Sequence, residues 1–122
     1  MVGTLTVKES SEIYTTNGEV TFAAATASVG DKFLNDGKTI LIVKNLTAAP
    51  TTMTITGVGV DNYGDVTSPT VTMTGATAPG KWWIVGPFST RHFNDATGYC
   101  KVICSNVTSV TVAAVRLGDT LG

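Results

Sequence analysis

Apolar and polar positions alternate with a period of two along most of this chain. In TTMTIT (Thr51 to Thr56) and TVTMT (Thr70 to Thr74), Met53, Ile55, Val71 and Met73 stand against threonines. That is the pattern of strands with one buried and one wet face. Segment 39–46 departs from it: Ile40 and Ile42 fall on one face and Leu41 and Val43 on the other. A strand apolar on both faces belongs at the centre of a sheet or under a neighbour. The closing segment 108–117 sets Val110, Val112 and Ala114 against Thr111, Ala113 and Val115, so one of its faces is available to another subunit. No long stretch carries the 3.6-residue period of an amphipathic helix.

Turn chemistry punctuates these runs. Asn17-Gly18, Asn35-Asp36-Gly37, Ala49-Pro50, Asp61-Asn62-Tyr63-Gly64, Ser68-Pro69, Ala78-Pro79-Gly80 and Asn94-Asp95 supply the positive-φ or fixed-φ residues that reversals need. Between them the pattern predicts strands near 4–8, 20–26, 32–34, 39–46, 51–58, 70–75, 82–87, 99–105 and 108–117. About eight short strands at this spacing predict an all-β fold, an antiparallel two-sheet sandwich with jelly-roll or Greek-key connections. Residues 21–122 form one sandwich domain. Residues 1–20 are less regular: KESSEIYTTNGE surrounds Ile13 and Tyr14 with charge and hydroxyls. They read as an N-terminal strand or arm that contacts a partner, or as a surface loop.

Composition turns this fold towards assembly. At 122 residues the chain buries roughly 65% of its unfolded surface without metal or disulfide staples. Charged residues make up 14%, against about 25% in ordinary soluble domains, so Thr, Ser, Ala, Gly and Asn must cover much of the surface. A net charge of −1 offers no footprint for nucleic acid. The charge is unevenly spread. Residues 1–31 carry Lys8 against Glu9, Glu12, Glu19 and Asp31, or 1 − 4 = −3; residues 81–116 carry Lys81, Arg91, Lys101 and Arg116 against Asp95, or 4 − 1 = +3. Opposite surfaces of neighbouring copies could meet head to tail around a ring, or the charges are scattered and solvated. MVGTLTVKES lacks the basic start and apolar core of a signal peptide, and no run approaches the roughly 20 apolar residues that cross a bilayer. Synthesis in a cytoplasm is the expectation.

Candidate chemistry is sparse. Cys100 and Cys104 are four strand steps apart, about 13 Å, beyond the reach of a disulfide. They read as small core residues. Ser89, His92 and Asp95 could form a nucleophile-base-acid set but lack a positioning elbow, and Asp61 and Asp65 fit a tight turn better than a calcium loop. The expectation is therefore no enzyme, no cofactor and no metal site. Trp82 and Trp83 are adjacent, so a strand sends them to opposite faces, one buried and one presented to a protein or a sugar ring. The interface candidates are Glu9, Glu12, Ile13 and Tyr14 in the arm, with Trp82, Trp83, Arg91, His92 and Phe93 in the 81–95 segment.

GDKFLNDGKTILIVKN (Gly30 to Asn45), the Gly86-Pro87-Phe88 turn after WWIV, and SVTVAAVRL (Ser109 to Leu117) resemble small structural proteins of tailed bacteriophages, above all the capsid decoration, or cement, proteins. The likeness covers roughly residues 28 to 117 and leaves the N-terminal segment unmatched. The resemblance implies a β-sandwich or β-barrel subunit, often trimeric, that binds the major capsid protein on the exterior of the expanded shell. It implies no cofactor and no catalysis; the charge and the lack of a long apolar run give the expectation of no nucleic acid and no membrane. The alternative expectation is a carbohydrate- or receptor-binding module of a phage tail or fibre.

Overall fold

The computed structural model describes residues 2–9, 22–59, 66–76 and 80–116. They form ten strands and one turn of helix: β1 (Gly3–Thr4), β2 (Val7–Glu9), β3 (Ala23–Ala24), β4 (Asp31–Leu34), β5 (Thr39–Asn45), β6 (Thr51–Ile55), β7 (Thr70–Met73), β8 (Lys81–Val85), α1 (Thr90–Phe93), β9 (Tyr99–Cys104) and β10 (Val110–Arg116). Two sheets result. Sheet A has the order β1-β4-β9-β6-β7, sheet B the order β2-β10-β5-β8, and β3 adds to β10 beside β2. The expected β-sandwich is the observed architecture; the nine expected segments become ten strands because the one near 4–8 divides into β1 and β2. β5, apolar on both faces, lies between β10 and β8, as a central strand should.

Two pairings are parallel: β1 with β4, and β2 with β10. The expected sandwich was antiparallel; the departure comes from the N-terminal strand, which crosses from one sheet edge to the other. Leu5, at the crossing, is buried, and its N–H donates to the Lys32 carbonyl at 2.8 Å. Residues 3–9 therefore contribute strands to both sheets. Of the N-terminal interface candidates, Glu9 ends β2 opposite Arg116 in the register; Glu12, Ile13 and Tyr14 lie outside the described residues.

The core is the layer between the sheets. Phe33, Cys100, Val102, Met53 and Met73 from sheet A meet Leu41, Val43, Val110, Val112 and Ala114 from sheet B. Each alternates with an outward neighbour, as the period-two pattern requires. Phe88 closes one side of this layer, its ring 5.3 Å from that of Phe33. Gly30 has φ +75, and a Cβ there would run into the Val102 carbonyl; only glycine allows that approach.

Buried polar groups in this layer are paired, consistent with the cost of leaving them unmade. Asn45 Nδ2 donates to the Ala49 and Met73 carbonyls at 3.0 and 3.3 Å, tying β5 to the end of β7. Asn35 and Asn94 clasp each other: Asn35 Nδ2 donates to Asn94 Oδ1 at 2.7 Å, and Asn94 Nδ2 donates to the Asn35 carbonyl at 2.6 Å. That clasp fixes α1 against the β4–β5 turn. Cys100 and Cys104 are buried and free. Burial pushes the Cys100 thiol up to about 12, with the Asp95 charge adding to it, and raises that of Cys104.

Candidate interaction face

The two sheets differ on the sides they turn away from the core. Sheet A presents Thr52 and Thr54 from β6 beside Thr70 and Thr72 from β7, in the registers Thr52↔Thr72 and Thr54↔Thr70. The hydroxyls of Thr52 and Thr72 lie 3.3 Å apart. Lys32 and Lys101 face each other across β4 and β9, and the Lys32 ammonium sits 4.6 Å from the Tyr99 ring centroid. Threonine methyls interleaved with hydroxyls and ammonium groups make a wet surface; Leu34 and Ile103 are its apolar exceptions.

Sheet B presents the opposite chemistry. The outward set of β5 is Ile40, Ile42 and Lys44, that of β8 is Trp82 and Ile84, and that of β10 is Thr111 and Val115, with Ala113 buried between them. Register aligns Ile42 with Ile84 and Lys44 with Trp82. Ile84 is 71% exposed and Trp82 is 59% exposed, and β8 is the last strand of its sheet among the described residues. An apolar edge strand of this kind is what isolated proteins usually blunt with charge or cover.

Phe22, just before β3, completes the face. Its ring meets Trp82 edge-on at 5.5 Å, and the Lys44 ammonium lies 4.1 Å from the Phe22 centroid and 4.7 Å from that of Trp82. Lys44 thus holds two aromatic rings in place through their negative π faces while its stem covers apolar surface. Beside it Thr111 Oγ1 is buried with no hydrogen-bond partner.

The sequence candidates separate cleanly on this structure. Trp82 is the outward indole. Trp83 is half-buried against the core and donates its Nε1–H to the Thr74 carbonyl at 3.0 Å, so it fastens β8 to the end of β7. Phe93 packs on the core, 6.5 Å from Phe88. Arg91 is exposed on α1, and His92 is half-buried, with its carbonyl accepting from the N–H groups of Val58 and Gly59. His92 Nδ1 and Ser89 Oγ lie 3.0 Å apart. The Asp95 carboxylate instead accepts from Thr97 N and Oγ1 and from Tyr99 N, all through Oδ1. It caps its own turn, and these bonds hold it below the usual carboxylate range. The three residues considered as a catalytic set thus belong to two separate hydrogen-bond systems.

Sequence reasoning passed over Phe22, Lys44 and Ile84. The doubled apolarity of β5 was the available signal for one of these faces, but alternation alone does not say which face is core. The four cations of residues 81–116 do not gather either: Lys81 lies on β8, Arg91 on α1, Lys101 on β9 in sheet A, and Arg116 bonds Asp36 at 2.5 Å at the end of β10.

Among the described residues no cluster of His, Cys, Asp and Glu could hold a metal ion. An opening of about 430 Å³ lies between Leu34, Asn35, Asp36 and Arg116, and one of about 240 Å³ lies beside β10. The fold and its asymmetric exterior define a β-sandwich with one apolar outer face. Comparison with family models, curated proteins and solved structures finds no match for the chain.

Proposed function

We propose that this chain is a virion structural protein of a tailed bacteriophage: a decoration, or cement, protein. It binds the major capsid protein on the outside of the assembled shell as a homotrimer and stabilises that shell without catalysis or cofactor. The observation that supports this reading is the outward face of sheet B, where Ile84 and Trp82 stand exposed at an edge strand. The motif resemblance in residues 28 to 117 points the same way. A protein that binds only the assembled lattice stabilises it by mass action, and several weak apolar contacts made at once reinforce one another through effective concentration.

The test is addition of purified protein to expanded, undecorated capsids of its own phage. Binding with a rise in the temperature of capsid disruption is the expected result; protein left in the supernatant rejects the reading. A second reading, a glycan-binding module of a tail or fibre, has Trp82 in its favour, since an exposed indole can stack on a sugar ring. It predicts a shift of tryptophan fluorescence on a glycan panel, lost in Trp82→Ala and kept in Trp83→Phe.

A further inference from the structure

Two lysines stand side by side on the wet face of sheet A with no acid between them. Lys32 on β4 and Lys101 on β9 are opposite one another in the register. The Lys32 carbonyl accepts from the Leu5 N–H on the β1 side, and the Lys101 carbonyl accepts from the Thr56 N–H on the β6 side, at 2.8 and 2.9 Å. Neither residue spends its backbone bonds on the other. They form a non-hydrogen-bonded pair, the closer of the two kinds in an antiparallel ladder, with Cα atoms about 4.5 Å apart. Like charges set directly opposite each other weaken the sheet that bears them. Neither ammonium has a carboxylate within ion-pair reach among the described residues. Asp31, the only acid in the strands of sheet A, is buried on the other side of the pleat and bonded to Thr26. The Asp95 carboxylate, held low first by Thr97, then by Tyr99 and least by Lys32, caps its own loop.

The neighbours of the pair are hydrogen-bond donors. Register places exposed Thr4 beside Lys32, and Thr56 stands beside Lys101 on the other flank. The row reads hydroxyl, ammonium, ammonium, hydroxyl across four strands. The Tyr99 ring, 4.6 Å from Lys32 Nζ, keeps that ammonium at the face through its π cloud. Such a row matches a tetrahedral dianion, since two positive charges balance two negative ones and the hydroxyls can donate to the remaining oxygens. We propose that the Lys32–Lys101 row binds a phosphate group, as the free ion or as the monoester of a sugar. The bound group replaces the repulsion of the two ammoniums with two charge-assisted hydrogen bonds. The site lies on the opposite face from Trp82 and Ile84 and shares no residue with the capsid reading. Purified protein alone tests it, so failure to bind phosphate and failure to bind capsids are separate results.

Thermal melts at pH 8, where phosphate is a dianion, compare phosphate with chloride at equal ionic strength. Wild-type protein should melt a few degrees higher in phosphate, because a ligand of the native state stabilises it by mass action. The amide resonances of Lys32, Lys101 and Thr56 should shift and saturate in the same titration. Lys101→Gln should weaken phosphate binding by roughly tenfold or more, the loss of one charge-assisted bond. In chloride it should melt no lower than wild type, because the repulsion has gone. Lys81→Gln, on β8 in the other sheet, should leave the phosphate response intact. Tighter binding of glucose-6-phosphate than of inorganic phosphate assigns the site to a phosphorylated sugar, and equal or weaker binding assigns it to the free ion; both support the site. Equal melting in the two salts without a saturable shift overturns the proposal. So does a Lys101→Gln variant that binds phosphate like wild type, and so does an equal loss in Lys81→Gln, the sign of general charge attraction.

Discussion

The outer face of sheet A and that of sheet B are built on the same pleat, with the same core behind them, yet one is covered by threonine and lysine and the other by isoleucine, tryptophan and phenylalanine. The strands of sheet A that bear Thr52, Thr54, Thr70 and Thr72 need no cover, because each methyl is flanked by a hydroxyl that water can reach. On sheet B, Ile42 and Ile84 are opposite one another and expose hydrocarbon that a partner would remove from water at about 25 cal/mol per Å². The difference teaches that the fold and the chemistry of its exterior are separable here. The inward residues decide the sandwich, and the outward residues leave one face wet and the other apolar.

The largest effect should come from the layer that both faces share. Leu41, fully buried in β5, supports the centre of sheet B, and Leu41→Ala should lower unfolding free energy by about 3 kcal/mol. Denaturant titration measures it, and a loss under about 1 kcal/mol would mean that β5 is not held as tightly as its burial indicates. Next in size is the conversion of one face into the other. Replacing Ile42, Trp82 and Ile84 with threonine gives sheet B the chemistry of sheet A. This triple variant should cost about 1 kcal/mol of stability, since two of the three sites are exposed and threonine suits strands, while the capsid binding proposed above should be lost. Retained adhesion would move the functional surface elsewhere.

A smaller effect, of opposite sign, is expected at Thr111. Its buried, unpartnered hydroxyl carries a desolvation cost with no return. Thr111→Val keeps the shape and should stabilise the fold by about 1 kcal/mol, seen as a raised denaturation midpoint. A destabilised variant would indicate that the hydroxyl has a partner in solution.

The effect of pH should be smallest near neutrality and appear only in the alkaline range. Burial raises the Cys100 thiol from 9.0 to about 12, so the folded protein keeps its proton while the unfolded chain releases it. The stability associated with that group is complete below pH 9 and declines as pH rises from there towards 12. The denaturation midpoint should fall across that window, and thiol reagents at pH 8 should label the protein only after unfolding. Rapid labelling of the native protein would show that the two thiols are accessible.

The half-wet strands were legible because alternation in TTMTI and TVTM is a direct image of a pleat with one side in water. The pairing of Cys100 and Cys104 on one buried face followed from the same geometry. The N-terminal strand was harder. Nothing in GTLTVKE announces that Gly3 pairs with Asp31 and Val7 with Ala114, since parallel pairing joins residues with no turn between them to mark it. The candidate face was legible in part. Adjacent tryptophans must diverge on a strand, but which one meets water depends on which sheet β8 joins and on which side of it the second sheet lies.

Strand identity, the turns that fall among the described residues, the threonine faces and the free core thiols were determined by the sequence alone, because period-two alternation and turn residues act over a few neighbouring positions. Tertiary structure alone decided that Ile40 and Ile42 look outward while Leu41 and Val43 look in, and that Phe22 reaches Lys44 and Trp82. A strand with two apolar faces satisfies either orientation locally, and only the arrival of the second sheet, from residues far along the chain, selects the side that becomes core.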